Sequence, residues 1–267
     1  MLEQQRLILA VKEKALADQR VDAVLMYGSF TQNRGDQYSD VEFYLFVKEA
    51  AFPGFDSKAW IAEVHPYHTH FLNEHGSEVA IFTTMIRGEF HLLPAGELAV
   101  IPSFAAAGYF PDLEAMNLVD RRGELARQLA TLAGCEATIP CRENAEDAVN
   151  RLLNQVLFGT NLCKRGEWAR SLECLHAAQR FYLQALRLLT GKTEHWINPF
   201  KELERELDPE QYRIFAGCTA DLEPRRIREA YAELLKASSE VIPRLRQKFG
   251  TRDFSELLDA IRRYARD

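Results

Sequence analysis

The sequence predicts an α+β chain in which a short mixed sheet occupies residues 1–110 and a bundle of helices occupies residues 111–267. Two observations predict it. An apolar, β-branched run stands in the first part at 21–27, and a second at 40–47 alternates with a period of two. From about Leu113 the apolar residues recur instead at intervals of three and four over long stretches, as on amphipathic helices.

Taken in order, residues 2–17 set Leu2, Leu7, Leu9, Val11 and Ala15 among charges, which predicts a first helix. Residues 21–27 form an apolar run that stops at Gly28, a strand ending in a tight turn. Residues 31–36 are polar loop. A strand resumes over 40–47, with Val41, Phe43, Leu45 and Val47 on the face toward the core. A helix is expected over 57–64, paired strands over 79–84 and 85–93, and a fifth strand over 97–101. In the second part, 143–164 and 169–189 carry helical spacing, and Gly191 is a helix stop. Asp208-Pro209 and Glu223-Pro224 each place a capping acid before a first-turn proline, so helices begin there. Helices over 226–248 and 254–265 complete the chain, and the sequence has no internal repeat.

Composition narrows the function. Of 267 residues, 47% are hydrophobic and 27% charged, enough to build a core without disulfides or a structural metal. The net charge of −6 argues against an extended nucleic-acid footprint, which needs excess Lys and Arg. Five cysteines without a Cys-x-x-Cys pair read as buried reduced thiols. With charges every few residues near the start and no long apolar run, the expectation is a soluble, cytoplasmic protein that does not contact the membrane.

The chemistry concentrates in Gly28-Ser29, ten further residues, and then Asp40-Val41-Glu42. On a strand, residues i and i+2 share a face about 7 Å apart, so both carboxylates project together. Acids so placed repel unless cations lie between them, and hard oxygen ligands suit Mg²⁺. Two such ions can clamp the attacking and leaving oxygens of an in-line displacement. Gly28 lets the backbone approach a phosphate, and Ser29 offers a hydroxyl and an N–H to it. Alone, a Gly-Ser after a strand is usually a turn and an Asp-x-Glu an exposed strand face; together they form the pattern of the polymerase-beta-like nucleotidyltransferase domain. A third acid is expected from a neighbouring strand. Glu89, in Ile86-Arg87-Gly88-Glu89-Phe90-His91, is the candidate for metal binding and general base, with pairing to Arg87 or His91 as the plain alternative.

Met26-Tyr27-Gly28-Ser29-Phe30-Thr31, the run from Gly35 to Tyr44, and Ile86-Arg87-Gly88-Glu89-Phe90-His91 together resemble the lincosamide nucleotidyltransferases of the LinB-like branch. The likeness covers the N-terminal half, includes Leu118-Val119-Asp120-Arg121 and agrees in overall length; the helical half is not mapped residue by residue. The resemblance implies adenylylation of a hydroxyl of lincomycin or clindamycin, with ATP as co-substrate, and thus antibiotic resistance. It implies Asp40, Glu42 and Glu89 as metal ligands and catalytic acids, Glu89 as base, and Gly28 and Ser29 as the nucleotide-binding turn. The helical half is expected to close one wall of the acceptor site, and relatives of this kind suggest a homodimer. An aminoglycoside or another hydroxyl compound as acceptor, or an antitoxin-like nucleotide-binding module, stays open.

Other residues divide between roles. Tyr44, on the face of Asp40 and Glu42, and His91 are candidates to contact the acceptor, though a tyrosine at a core edge reads the same way. Arg34, Arg87 and Lys164 are candidates to neutralise a triphosphate. His65, His68, His70 and His75 crowd together, but their spacing is not that of a zinc site, and a solvated loop or strand end is the expected setting.

Overall fold

The structure is a computed structural model that describes residues 1–106, 108–136 and 138–266. It separates into two compact units, Met1–Glu136 and Ala137–Asp267.

The first unit is built on a six-stranded sheet. Its strands are β1 (Val21–Tyr27), β2 (Val41–Val47), β3 (Tyr67–Leu72), β4 (Glu78–Phe82), β5 (Arg87–Pro94) and β6 (Asn117–Asp120), in the spatial order β3-β4-β5-β2-β1-β6. Only β2 and β5 run parallel, which makes the sheet mixed. Parallel strands need a crossover, and here it contains α2 (Ser57–Val64), β3 and β4. Alternation on β2 divides its side chains between two cores. Val41, Phe43 and Leu45 pack with Leu7, Val11 and Ala15 of α1 (Glu3–Ala17) and with Trp60 and Ile61 of α2. Phe46 joins Ala23 and Leu25 beneath Leu98, Ile101 and Leu125 on the opposite face. That face is covered by a 3-10 segment, Ala95–Ala106, by α3 (Leu113–Met116) and by α4 (Glu124–Leu129).

Three expectations are corrected here. The strand expected over 97–101 lies inside the 3-10 segment, because its buried residues, Ala95, Leu98 and Ile101, recur every third position rather than every second. The first unit also runs past residue 110 to Glu136, since β6 pairs with β1 along its free edge. β6 is four residues long and buries only Val119, too little for an alternating pattern to show. β3 is an edge strand with no buried residue, so it leaves no alternation either, and His68 and His70 lie within it rather than in a loop.

The second unit is helical. α5 (Arg142–Lys164) and α6 (Trp168–Thr190) are joined by three residues, and α6 ends at Gly191 with φ 77°. α7 (Leu203–Glu206), α8 (Pro209–Gly217), α9 (Pro224–Phe249) and α10 (Ser255–Arg266) follow. Asp208 and Glu223 cap α8 and α9 through their side chains, each ahead of a proline that forgoes a hydrogen bond the first turn does not need. Leu152, Leu175, Leu183, Leu234 and Leu245 are among the fully buried residues of its core. Cys163, Cys174 and Cys218 are buried free thiols, whereas Cys135 and Cys141 are half-exposed. Among the described residues no helix is long and apolar enough to cross a membrane.

Candidate active site

The turn after β1 depends on one glycine. Gly28 has φ 87° and ψ −157°, a conformation that side chains disfavour. A Cβ on it would stand 1.9 Å from Glu42 Oε2, so the missing side chain is what admits the Glu42 carboxylate. The chain then makes a 3-10 turn, Ser29–Gln32, held by the Thr31 hydroxyl donating to Gly28 O at 2.8 Å. Ser29 Oγ is shielded from solvent and has no hydrogen-bond partner, which marks a donor awaiting an acceptor. Farther on, Tyr38 N and Ser39 Oγ both donate to Asp36 Oδ1, and this turn leads the chain into Asp40.

The sheet register assembles the rest. β1 sets Tyr27 opposite Glu42, and β5 sets Glu89 opposite Glu42 from the other side. One step along, Tyr44 is opposite His91, and their rings stack at 4.2 Å and 11°. Asp40 precedes the first residue of β2, and Arg87 is the first residue of β5. Gly88 is the second close fit, because a Cβ there would meet the Phe82 ring at 2.6 Å. The result is one end of one sheet face that presents Asp40, Glu42 and Glu89, bordered by Tyr27, Tyr44 and His91.

Arg87 spans these acids, with Nη1 3.1 Å from Asp40 Oδ2 and Nη2 2.5 Å from Glu89 Oε2. His91 Nε2 lies 3.3 Å from Glu89 Oε1 and 2.9 Å from the Tyr27 hydroxyl. Asn73 Nδ2 donates to Glu89 at 3.4 Å, and Ser77 Oγ reaches the His91 ring at 3.2 Å. Burial pushes the Glu89 carboxyl up, but hydrogen bonds from Arg87 and Ser77 and the Arg87 charge outweigh it and hold the group below its ordinary value. Burial pushes the His91 imidazole down more than the Glu89 charge raises it, so the ring is neutral near pH 7. Tyr27 is pushed far up by burial and by the charges of Glu42 and Glu89, and it keeps its proton.

Each residue singled out above thus has a place. Gly28, Ser29, Asp40, Glu42, Glu89, Tyr44 and His91 all stand at this end of the sheet. The plain alternative for Glu89, pairing with Arg87 and His91, is also what the side chains do. Lys164 belongs to the second unit, where its ammonium lies over the Tyr264 ring at 4.6 Å. Arg34 has an interaction of its own on the loop. Asn73 and Ser77 had no signal in their own sequence neighbourhoods, because their partners come from β5.

Asp40, Glu42 and Glu89 do not gather their oxygens as tightly as a bound ion would require. Among the described residues the one group of three such side chains with ligand atoms within 4.8 Å of one another is Glu194, His195 and Glu206, in the second unit. The guanidinium of Arg87 bridges Asp40 and Glu89. The donor set nonetheless fits a hard divalent cation: it consists of carboxylates, and a positive group already sits between two of them.

Comparison with known proteins bears on the second unit. Residues 141–264 match the family model described as lincosamide nucleotidyltransferase-like, C-terminal domain. No curated protein matches the chain. Among solved structures, an aminoglycoside 6-adenyltransferase from Bacillus subtilis aligns over 99% of this chain and 96% of its own, at 12% identity and a TM-score of 0.45. A nucleotidyltransferase-like protein from Exiguobacterium sibiricum aligns over 97% and 87%, at 15% identity and a TM-score of 0.40. The helical half, which motif reading left unmapped, is thus the half that carries the family signal. Over residues 141–264, then, the chain is similar to the C-terminal domain of the lincosamide nucleotidyltransferase-like proteins.

Proposed function

We propose that this protein transfers AMP from MgATP to a hydroxyl of a lincosamide such as clindamycin, releasing pyrophosphate. The observation that carries the reading is the register of β1, β2 and β5, which puts Glu42 against Gly28 on one side and opposite Glu89 on the other, with Asp40 at the same end. The family of the C-terminal domain supports the lincosamide as acceptor.

Asp40, Glu42 and Glu89 would hold two magnesium ions, which when bound supply charge neutralisation and alignment of the phosphates. Holding them requires Arg87 to give up both of its carboxylates. Gly28 leaves room for a phosphate, and the unpartnered Ser29 hydroxyl donates to one of its oxygens. Glu89, relieved of Arg87, takes the proton of the attacking hydroxyl as the bond to the α-phosphorus forms and the bond to pyrophosphate breaks. Tyr44 and His91, stacked beside Glu89, border the acceptor. Positioning and charge neutralisation account for most of the acceleration, with no covalent intermediate. The assembly expected is a homodimer, which light scattering reads directly.

Incubating the protein with clindamycin, Mg²⁺ and each nucleoside triphosphate in turn tests the reading. An adenylyl mass increment on the drug with ATP, lost in Asp40→Asn, is the expected result. An increment only on an aminoglycoside in the same panel would reassign the acceptor and keep the site. Magnesium-dependent nucleotide binding without turnover on any acceptor would overturn the enzyme reading.

A further inference from the structure

The second unit has a concave feature chemically opposite to the acid-lined end of the sheet. Between α5, α9 and α10 lies a cavity of about 490 Å³, large enough for a nucleotide-sized molecule. Five cationic side chains line it, Lys164, Arg228, Lys236, Arg262 and Arg266, against one carboxylate, Glu233. In a chain of net charge −6 this gathering runs against the composition.

Like charges brought together destabilise a fold unless something compensates them. The protein itself compensates these only in part. Lys236 stands 3.7 Å from Glu233 and Arg262 3.8 Å from Asp259, both loose pairs along a single helix of the kind that contributes little. Lys164 and Arg228 rest over aromatic rings, those of Tyr264 at 4.6 Å and Trp168 at 5.1 Å. Among the described residues none of Lys164, Arg228 and Arg266 has a carboxylate within salt-bridge distance. The floor is uncharged: Cys163, Tyr231 and Leu235 are buried, and the Tyr231 hydroxyl is already committed to Ser171 O at 2.7 Å. Recognition therefore falls to the cations. Guanidinium groups bind phosphate oxygens through paired N–H donors, and cations spaced around a cavity of this size call for a ligand with several negative charges.

We infer that this pocket binds a small molecule carrying two or more phosphates. An extended nucleic acid is disfavoured, because the cations are confined to one cavity in an otherwise acidic chain. Every residue that lines it lies in the helical unit, and none of them is Gly28, Ser29, Asp40, Glu42 or Glu89, on which the nucleotidyl-transfer reading rests.

Calorimetric titration of the full-length protein with inorganic pyrophosphate, and separately with ATP, tests this in EDTA, where metal-dependent binding at the acid-lined end of the sheet is silent. Both should bind, more weakly as salt rises. Lys236→Glu and Arg228→Glu should each weaken binding at least about tenfold, while Asp40→Asn leaves it unchanged. Both replaced side chains are exposed, and thermal unfolding verifies that the variants are folded; should Arg228→Glu lose its fold, Lys236→Glu carries the test. Tighter binding of ATP than of pyrophosphate would assign the nucleoside to the Tyr231 and Leu235 wall, and equal affinity would assign the phosphates alone; either supports the proposal. No binding of either compound, binding indifferent to Lys236→Glu, loss of binding in Asp40→Asn, or tighter binding of an RNA oligonucleotide than of pyrophosphate would overturn it.

Discussion

Each unit holds an arginine paired with carboxylate, and the two arginines differ in burial and in what else holds them. The Arg87 side chain is 41% exposed, and its partners are Asp40 and Glu89. The Arg187 side chain is 2% exposed; besides its ion pair with Glu206 it donates to the carbonyls of Lys192, Pro199 and Lys201 at 3.2, 3.1 and 2.6 Å. His195 Nδ1 adds a contact to Glu206 at 2.9 Å. Arg187 therefore organises the irregular segment between α6 and α7, and no soluble cation reproduces its three directed bonds to carbonyls. Arg87 bonds only carboxylates, at an exposed end of the sheet, and under the proposed function a metal ion would take its place. The tighter group, Glu194, His195 and Glu206, reads as structural by the same contrast, because Glu206 already has the buried Arg187 as its counter-ion.

The largest effect that sharpens this contrast is on turnover. Asp40→Asn and Glu42→Gln should each lower nucleotidyl transfer by about a thousandfold or more with little change in melting temperature; a variant that lost activity and stability in proportion would place these acids with Arg187 as structural. Arg187→Ala should do the reverse. It leaves Glu206 without its buried counter-ion and should cost about 3–5 kcal/mol in denaturant unfolding, and a loss below about 1 kcal/mol would remove the distinction.

Gly28→Ala should combine both kinds of damage in one residue. The added carbon meets the Glu42 carboxylate and sits at positive φ, so nucleotide affinity should fall along with about 1–3 kcal/mol of stability. Retained affinity in that variant would show that the turn does not approach the nucleotide.

Acid probes the Arg187 cluster next. Burial raises the Glu206 carboxyl, but the Arg187 hydrogen bond and charge outweigh it and hold the group below its ordinary value of 4.5. A carboxyl lowered on folding contributes stability that is present above 4.5 and is lost as pH falls through the folded value. The melting temperature should therefore decline below that pH, with a shallower decline in Arg187→Ala; an identical slope in both proteins would contradict the assignment. The smallest effect belongs to Arg87→Ala. The Arg87 side chain is 41% exposed, so solvent screens its pairs and they contribute about 1 kcal/mol; stability should fall little while Mg²⁺ binding, followed calorimetrically, tightens. Weaker Mg²⁺ binding would mean that Arg87 assists the ion rather than standing in for it.

Much of this was legible in the sequence because the signals are local. The bounds of β1 and α2, the proline-led starts of α8 and α9 and the glycine end of α6 each follow from a few adjacent residues. Asp40 and Glu42 show themselves by falling two apart in an apolar alternating run. β3 and β6 escaped because an exposed or very short strand leaves no alternation to read. The segment 95–101 misled because apolar residues three apart also resemble a short strand when the period is not counted.

What the sequence by itself determined is the identity of the acids, the glycine that makes room for one of them, and the change from a period of two to one of about 3.6 that divides sheet from helices. Only the tertiary structure decided that β5 lies parallel to β2 in the register that sets Glu89 opposite Glu42, and that Arg87, 47 positions from Asp40, spans the gap. Strand pairing is settled by packing of whole faces across the sheet. No window of neighbouring residues contains it, and so the residues that meet at this end of the sheet become visible as a group only once the chain has folded.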